Sequence, residues 1–565
     1  MTDGRTPAPS SDASDAWTSR APSQIVLLLV VYFLGVFVFP ARFVLAAFLT
    51  SLAAAIVLFG SDRWSSQFDA LFGARLPLPG WAVSTAAVSC LLFGALVFTE
   101  RFTPAGALYA VVTGFSATWL VGLAVGGDAR RLVSARRRVP LWLGGPTVLL
   151  VAAASYAFAG HLPSVFDAAV FFGLLMVSAI VVVVLPLTFV QRRRFDERDV
   201  EPPCPSVSVL VPAYNEEGYV GQCIEAVLES DYPTDALEVV VVDDGSTDGT
   251  YEEAAAYRGE NVTVLSRTNG GKHGALNFAL SCARGDVVVA VDADSVVEPT
   301  AISRAVGALQ SDDDVGAVAG TVKVGNRDGH LARMQALEYA VGINTLRRAF
   351  ALFDSVMVVP GCFGAFRREA LDDVGGYDPD TVAEDFDLTV RLLQAGWHVR
   401  TTEGVVTTEA PFSLGDLYRQ RLRWTRGNIQ SLVKHRDVFF DPDCGYLHRF
   451  AFPWFALSLV FVPLSSAVVT VAIGLAILDG RLLSVLAATL YFVSLFALIA
   501  AVAIDISGED WSLLAYVPVH LVGYRQFLDV VVFSSVLDAV RRTDDGWESV
   551  TRLRQTGFGD SAADD

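Results

Sequence analysis

The stretch Asp286-Val287-Val288-Val289-Ala290-Val291-Asp292-Ala293-Asp294 sets an uninterrupted apolar run directly before a pair of aspartates. A short run rich in β-branched residues and bounded by polar ones is the pattern of a strand buried on both faces. Extended backbone puts side chains two residues apart on one side, so Asp292 and Asp294 are expected to face the same way. Upstream, 206–211 (Ser-Val-Ser-Val-Leu-Val), 237–242 (Leu-Glu-Val-Val-Val-Val) and 261–265 (Asn-Val-Thr-Val-Leu) have the same character. Between them, 216–230 and 249–257 read as helices. This alternation predicts βαβ units and a parallel sheet.

Ligands of such sheets bind beyond the carboxyl ends of the strands. Tyr214-Asn215-Glu216 follows the first run, Asp243-Asp244 the second and Asp292-x-Asp294 the fourth. Asp, Asn and Gly also favour turns for their own sake. Carboxylates gathered on one sheet edge are, however, what a metal diphosphate requires. One aspartate can reach a ribose or base while the other binds a hard divalent cation bridging the phosphates. Between the third and fourth runs lies Asn269-Gly270-Gly271-Lys272-His273-Gly274, whose glycines permit close backbone approach. Lys272 offers a cation to a diphosphate or to Asp292. The loop lacks the Gly-Lys-Ser/Thr of a P-loop.

Outward from this segment the chain becomes strongly apolar. Its 565 residues are 53% hydrophobic, too apolar for an ordinary soluble enzyme and too long for one domain. Runs near 24–43, 43–60, 81–99, 104–126, 141–160 and 166–189, then 451–477 and 482–505, approach or exceed the roughly 20 residues a spanning helix needs. Residues 1–21 are rich in Ser, Asp, Pro and Ala and are expected to be disordered. They lack the basic start of a signal peptide, so the first run reads as a retained anchor. Arg130, Arg131, Arg136, Arg137 and Arg138, and then Arg192, Arg193 and Arg194, orient the helices, because cytoplasmic loops carry excess positive charge. On that rule 22–190 holds six transmembrane helices, 200–445 is cytoplasmic, 447–540 holds two or three spans, and 541–565 is a polar tail. The localisation expected is the cell membrane, multi-pass. The stretch 512–537, interrupted by His520, Tyr524, Arg525 and Gln526, reads as one span, a re-entrant pair or an interfacial helix.

A net charge of −19 would repel a polyanion and argues against nucleic-acid binding. Lysine occurs only at 272, 323 and 434 amid abundant Asp, Glu and Arg, a balance that reads as a halophile's surface. The six cysteines form no Cys-x-x-Cys pair, which argues against a zinc site or a disulfide framework.

Two further motifs lie beyond the fourth run. Glu384-Asp385 stands in Val-Ala-Glu-Asp-Phe-Asp-Leu-Thr, and Gln420-Arg421-Leu422-Arg423-Trp424 in a segment that reads as a helix with basic and aromatic faces. Arginine can clamp a diphosphate bidentately, and an indole offers a saccharide an apolar platform. The same helix also reads as an interfacial anchor, with Arg419, Arg421 and Arg426 expected to face phosphates or lipid. Taken together, the motifs of about 200–440 resemble family 2 glycosyltransferases with the GT-A fold. The Gln-x-x-Arg-Trp element resembles the processive membrane synthases of cellulose, hyaluronan, chitin and poly-N-acetylglucosamine.

The resemblance implies an α/β GT-A (Rossmann-like) cytoplasmic domain inserted between two sets of transmembrane α-helices. It implies inverting transfer from a UDP-sugar, with Asp385 as the base and Glu384 beside it. Tyr214, Glu216 and one of Asp243 and Asp244 fall where the family contacts the base of the nucleotide. Asp292 falls on the ribose or diphosphate and Asp294 on a divalent metal, Mg²⁺ or Mn²⁺. Lys272, Gln420 and Arg423 complete the donor side, and Trp424 faces the acceptor. Residues 361–371 resemble the acceptor-side segment of the poly-N-acetylglucosamine type, which makes Phe363 and Phe366 either acceptor contacts or plain core. Expected partners are the UDP-sugar, a glycan or lipid-linked acceptor and membrane lipid. A single-sugar transferase to a polyprenyl phosphate is the alternative, because six preceding helices exceed the two associated with the hyaluronan and poly-N-acetylglucosamine types. A transporter with a degenerate nucleotide-binding insert is the third reading.

Overall fold

The computed structural model describes residues 204–541, together with Val184, Thr188 and Gln191. The six apolar runs before 190, both arginine clusters before 200, the N-terminal stretch and 542–565 lie outside the described residues. Two compact units are distinguished: Gln191–Leu464 with Ala503–Asp565, and Met1–Val190 with Ser465–Val502.

The first unit is built on an eight-stranded sheet. Its strands are β1 (Val207–Ala213), β2 (Leu237–Asp243), β3 (Val262–Ser266), β4 (Val287–Ala290), β5 (Ser295–Val297), β6 (Val315–Val324), β7 (Gly364–Arg367) and β8 (His398–Thr408). Their order across the sheet is β3-β2-β1-β4-β7-β6-β8-β5. The four strands expected from sequence are all present and mutually parallel, with Val207 opposite Leu237 and Val287. The second half departs from the expected parallel sheet. β7 runs antiparallel to both β4 and β6, and β5 antiparallel to β8, so the sheet is mixed.

The helices flanking this sheet are α1 (Val220–Leu228), α2 (Thr250–Ala255), α3 (Lys272–Cys282), α4 (Ala301–Leu309), α5 (His330–Glu338), α6 (Thr345–Ala351), α7 (Arg368–Val374), α8 (Glu384–Gln394) and α9 (Leu414–Lys434). A π-helical segment, Tyr339–Asn344, joins α5 to α6. Valine dominates β1, β2 and β4 because β-branched side chains fit a pleated surface that is covered on both faces. A continuous core runs through Leu210, Leu276, Phe366, Leu371, Phe386 and Val399.

Beyond it come α10 (Phe452–Leu478) and α11 (Leu482–Ser507), two helices long and apolar enough to cross a membrane. They coincide with the runs at 451–477 and 482–505. The following segment is helical but broken, with non-helical backbone at Val522 and Gly523, before α12 (Arg525–Arg541).

Candidate active site

The register of the sheet brings the carboxyl ends of β1, β2 and β4 together, because Ala213 pairs with Asp243 and Leu210 with Ala290. The residues after each strand end open into a cavity of about 700 Å³. Tyr214 and Glu216 line it from the first loop. That loop is fixed by Asn215, whose backbone is left-handed and whose side-chain oxygen accepts from the Thr247 amide at 2.8 Å. A non-glycine residue in this conformation is characteristic of a held turn at a functional site.

After β2 the structure divides the aspartate pair. Asp243 is turned into its own loop, accepting from the Ser246 amide at 3.1 Å and the Ser266 hydroxyl at 3.0 Å, and it is not among the residues lining the cavity. Asp244 lines the cavity. Burial raises its pKa, opposed by the Gly270 amide at 3.1 Å and by Arg267 at 3.2 Å.

After β4 the backbone does not stay extended. The Ser295 amide donates to the Asp292 carbonyl at 3.0 Å, so Asp292–Ser295 is a turn. Asp292 and Asp294 both line the cavity, through that turn rather than through strand alternation.

Lys272, first residue of α3, joins two halves of the site. Its ammonium lies 2.6 Å from Asp292 and 3.4 Å from Glu384. Burial works against its charge, but the attraction of Asp292, Glu384 and Asp385 outweighs it and holds Lys272 protonated well above the ordinary range. Gly361 packs directly against this ammonium, and a Cβ there would lie 2.5 Å from the lysine nitrogen and displace the flexible end of the side chain.

Opposite the strand ends, Glu384 and Asp385 begin α8 and line the cavity. The Phe386 amide donates to Asp385 at 2.8 Å. Burial and then the neighbouring Glu384 raise the Asp385 pKa to about 6, against Lys272 and the Phe386 and Gly361 amides, which lower it. A carboxylate poised near neutrality suits a proton acceptor. Asp387, two residues further along α8, is fully buried and ties α8 to α9. It meets Arg391 at 2.8 Å, Lys434 at 2.9 Å and His435 at 2.9 Å. These contacts hold its carboxyl far below the usual range despite burial.

α9 carries Gln420, Arg423 and Trp424 into the same cavity. Its approach depends on Gly427, where a Cβ would stand 2.5 Å from the Ala383 Cβ and 2.8 Å from the Ala383 nitrogen. Ala383 is the N-cap of α8, so this contact sets the distance between Trp424 and Asp385. Arg421, expected from sequence to face phosphates or lipid, is instead buried beneath Trp424, with its guanidinium 4.1 Å from the indole centroid. It pairs with Glu338 at 2.9 Å and donates to Gln420 Oε1 at 2.8 Å. The Tyr524 hydroxyl donates to the same Glu338 carboxylate at 2.6 Å. Arg426 pairs with Asp538 at 2.5 Å, and Arg419 with Asp416. A carboxylate such as Glu338 in a helix that packs inward is the one sequence sign of this network, since a buried charge needs a partner.

The two phenylalanines named for the acceptor side are core. Phe363 is completely buried against Gly320, Phe366 packs in the main core, and neither lines the cavity. The neighbouring Cys362 does line it, as do Tyr339 and Arg347, which sequence reading had not singled out as site residues.

For a divalent cation the donor chemistry fits in part. No group of three or more His, Cys, Asp or Glu side chains able to hold a metal occurs among the described residues. Asp292 and Asp294 supply hard oxygen donors, and magnesium-like ions are held by one or two carboxylates with substrate phosphates completing the shell.

The sheet is Rossmann-like in its first half, and its strand ends deliver carboxylates into the cavity. A model of glycosyl transferase family 2 matches residues 208–375. Among curated proteins, the probable glycosyltransferase YdaM of Bacillus subtilis is 33% identical over 249 residues, covering 42% of this chain and 58% of YdaM. The poly-beta-1,6-N-acetyl-D-glucosamine synthase of Staphylococcus aureus is 30% identical over 236 residues, covering 41% of this chain and 56% of the synthase. The chain thus spans somewhat more than half the length of these relatives. Among solved structures, the mannosyltransferase PcManGT from Pyrobaculum calidifontis, in complex with GDP-Man and Mn²⁺, is 24% identical. It aligns with 66% of this chain and 100% of its own, at a TM-score of 0.46.

Proposed function

We propose that this chain is a membrane-embedded, inverting glycosyltransferase that adds sugars from a UDP-sugar to a growing β-linked glycan. The observation that carries this reading is the single cavity shared by the strand-end aspartates, the Glu384–Asp385 pair and Gln420-Arg423-Trp424. The relatedness to a poly-N-acetylglucosamine synthase supports polymer synthesis, and α10 and α11 support a membrane setting. UDP-N-acetylglucosamine and UDP-glucose are the donors of choice.

In this reading Tyr214, Glu216 and Asp244 receive the nucleotide. Lys272, Gln420 and Arg423 take the diphosphate, and Trp424 supports the acceptor sugar. Asp385 accepts the proton of the attacking hydroxyl while the diphosphate departs from the opposite face of the sugar. Held by Asp294 with Asp292, a Mg²⁺ or Mn²⁺ ion would neutralise charge on the diphosphate.

The test is UDP release from membranes given each candidate UDP-sugar with Mg²⁺ or Mn²⁺ in concentrated salt, followed by sizing of the product. A ladder or polymer is expected. A lipid-linked monosaccharide establishes instead the second reading, transfer to a polyprenyl phosphate, which the apolar part of the lining, Ile343, Leu346, Phe350, Met357 and Val358, favours. Absence of turnover with every sugar nucleotide overturns both.

A further inference from the structure

Arg347, on α6, lines the cavity with its Nη1 buried and without a hydrogen-bond partner among the described residues. The buried arginines of this unit, Arg348, Arg400 and Arg421, all have acidic partners. Arg421 meets Glu338, Arg400 meets Asp354, and the adjacent Arg348 donates to Glu403 at 2.7 Å. A buried donor nitrogen left without a partner costs stability, and a ligand acceptor in the cavity would offset that cost. Among the described residues no hydrogen bond or ion pair accompanies the Arg347 Nη1.

Its surroundings narrow the ligand. Asp385 acts on it electrostatically, which sets it toward the base side of the cavity. The same helical segment adds Ile343, Leu346 and Phe350 to the lining. A neutral sugar hydroxyl gives little return for a buried charge. A phosphate oxygen does, because the planar fork of arginine matches it bidentately. We propose that Arg347 is a substrate-binding residue that receives a phosphate group in this cavity. That phosphate comes either from the diphosphate of the sugar nucleotide or from the head of a lipid-linked acceptor whose chain lies on the apolar lining. The proposal rests on the transferase reading above.

The experiment uses the full chain in detergent, as wild type, Arg347→Gln and Arg347→Lys, titrated with UDP, farnesyl phosphate and uridine. In Arg347→Gln, one phosphate probe is expected to bind about tenfold to hundredfold more weakly, the range of a charge-assisted hydrogen bond. Uridine affinity should stay constant, and Arg347→Lys should recover part of the loss. A loss confined to UDP assigns the donor as source, and one confined to farnesyl phosphate assigns the acceptor. Unchanged affinity for both probes, or an equal loss that includes uridine, overturns the proposal. Should Arg347→Gln fail to fold, Arg347→Lys, which keeps the charge but not the fork, is judged by the same titrations, and wild-type affinity for both probes overturns it. Sugar-nucleotide turnover is measured separately, so a chain that binds phosphate through Arg347 but turns over no UDP-sugar fails the functional reading alone.

Discussion

The strand-end edge and the base side of the cavity are built by opposite means. At the strand ends, each polar residue directly follows the strand that positions it, as Asp244 follows β2 and Asp292 follows β4. At the base side, position comes from contacts far apart in sequence: Gly427 against Ala383, Arg421 on Glu338, and Tyr524 on the same carboxylate. Local construction resists distant change, whereas the base side inherits errors from four different segments.

The sharpest way to separate the two halves is Asp385→Asn. It should lower kcat by about 10²–10⁴, the usual contribution of a positioned base, while UDP binding measured by titration stays at the wild-type value. Activity at the wild-type rate in this variant would defeat the assignment of the base. Next comes Gly427→Ala, which forces α9 away from the start of α8. Displacements on the order of 1 Å in such sites cost roughly 10²-fold, so kcat is expected to fall by that amount, and UDP affinity by less, because α9 supplies only Gln420 and Arg423 to the donor. Equal loss of both would mean that the two halves are not separable.

Asp244→Asn probes the other half. Loss of one charged hydrogen-bonding group should weaken UDP about tenfold or more, and Asp243→Asn should instead lower the melting temperature, since Asp243 serves its own loop. The smallest effect is in pH dependence. Asp385 must be ionised to accept a proton, so kcat/KM should fall below about pH 6. The same raised pKa has the opposite sign for stability. The folded carboxyl binds its proton more tightly than the unfolded one, so its stabilising contribution is complete below about pH 4 and lost as pH rises through about 6. Asp385→Asn should therefore melt higher than wild type at pH 7.5, with the advantage vanishing toward pH 4.

This contrast also explains what could be read in the chain beforehand. Strands 207–213, 237–243, 262–266 and 287–290 announce themselves through valine-rich runs, and the polar residues after them are sequence neighbours of their own scaffold. The mixed second half of the sheet was not legible, because whether β7 enters parallel or antiparallel depends on which strands it meets and not on its four residues. Phe363 and Phe366 illustrate a different loss. Period-two alternation through β7 does not say which face meets the cavity, and here neither ring reaches it. Arg421 was assigned to the wrong surroundings because its partner Glu338 lies 83 positions away. Asp292 and Asp294 reached the expected place by a turn rather than by extended backbone.

The Tyr524 and Asp538 contacts have a consequence for how the protein is made. Chains emerge from the ribosome amino end first, and the catalytic motifs are all translated by residue 424. The Tyr524 hydroxyl on Glu338 and the Asp538 partner of Arg426 come only from residues beyond two long apolar helices. The protein therefore receives these contacts after those helices have been synthesised, and a nascent chain halted before them carries every motif without them.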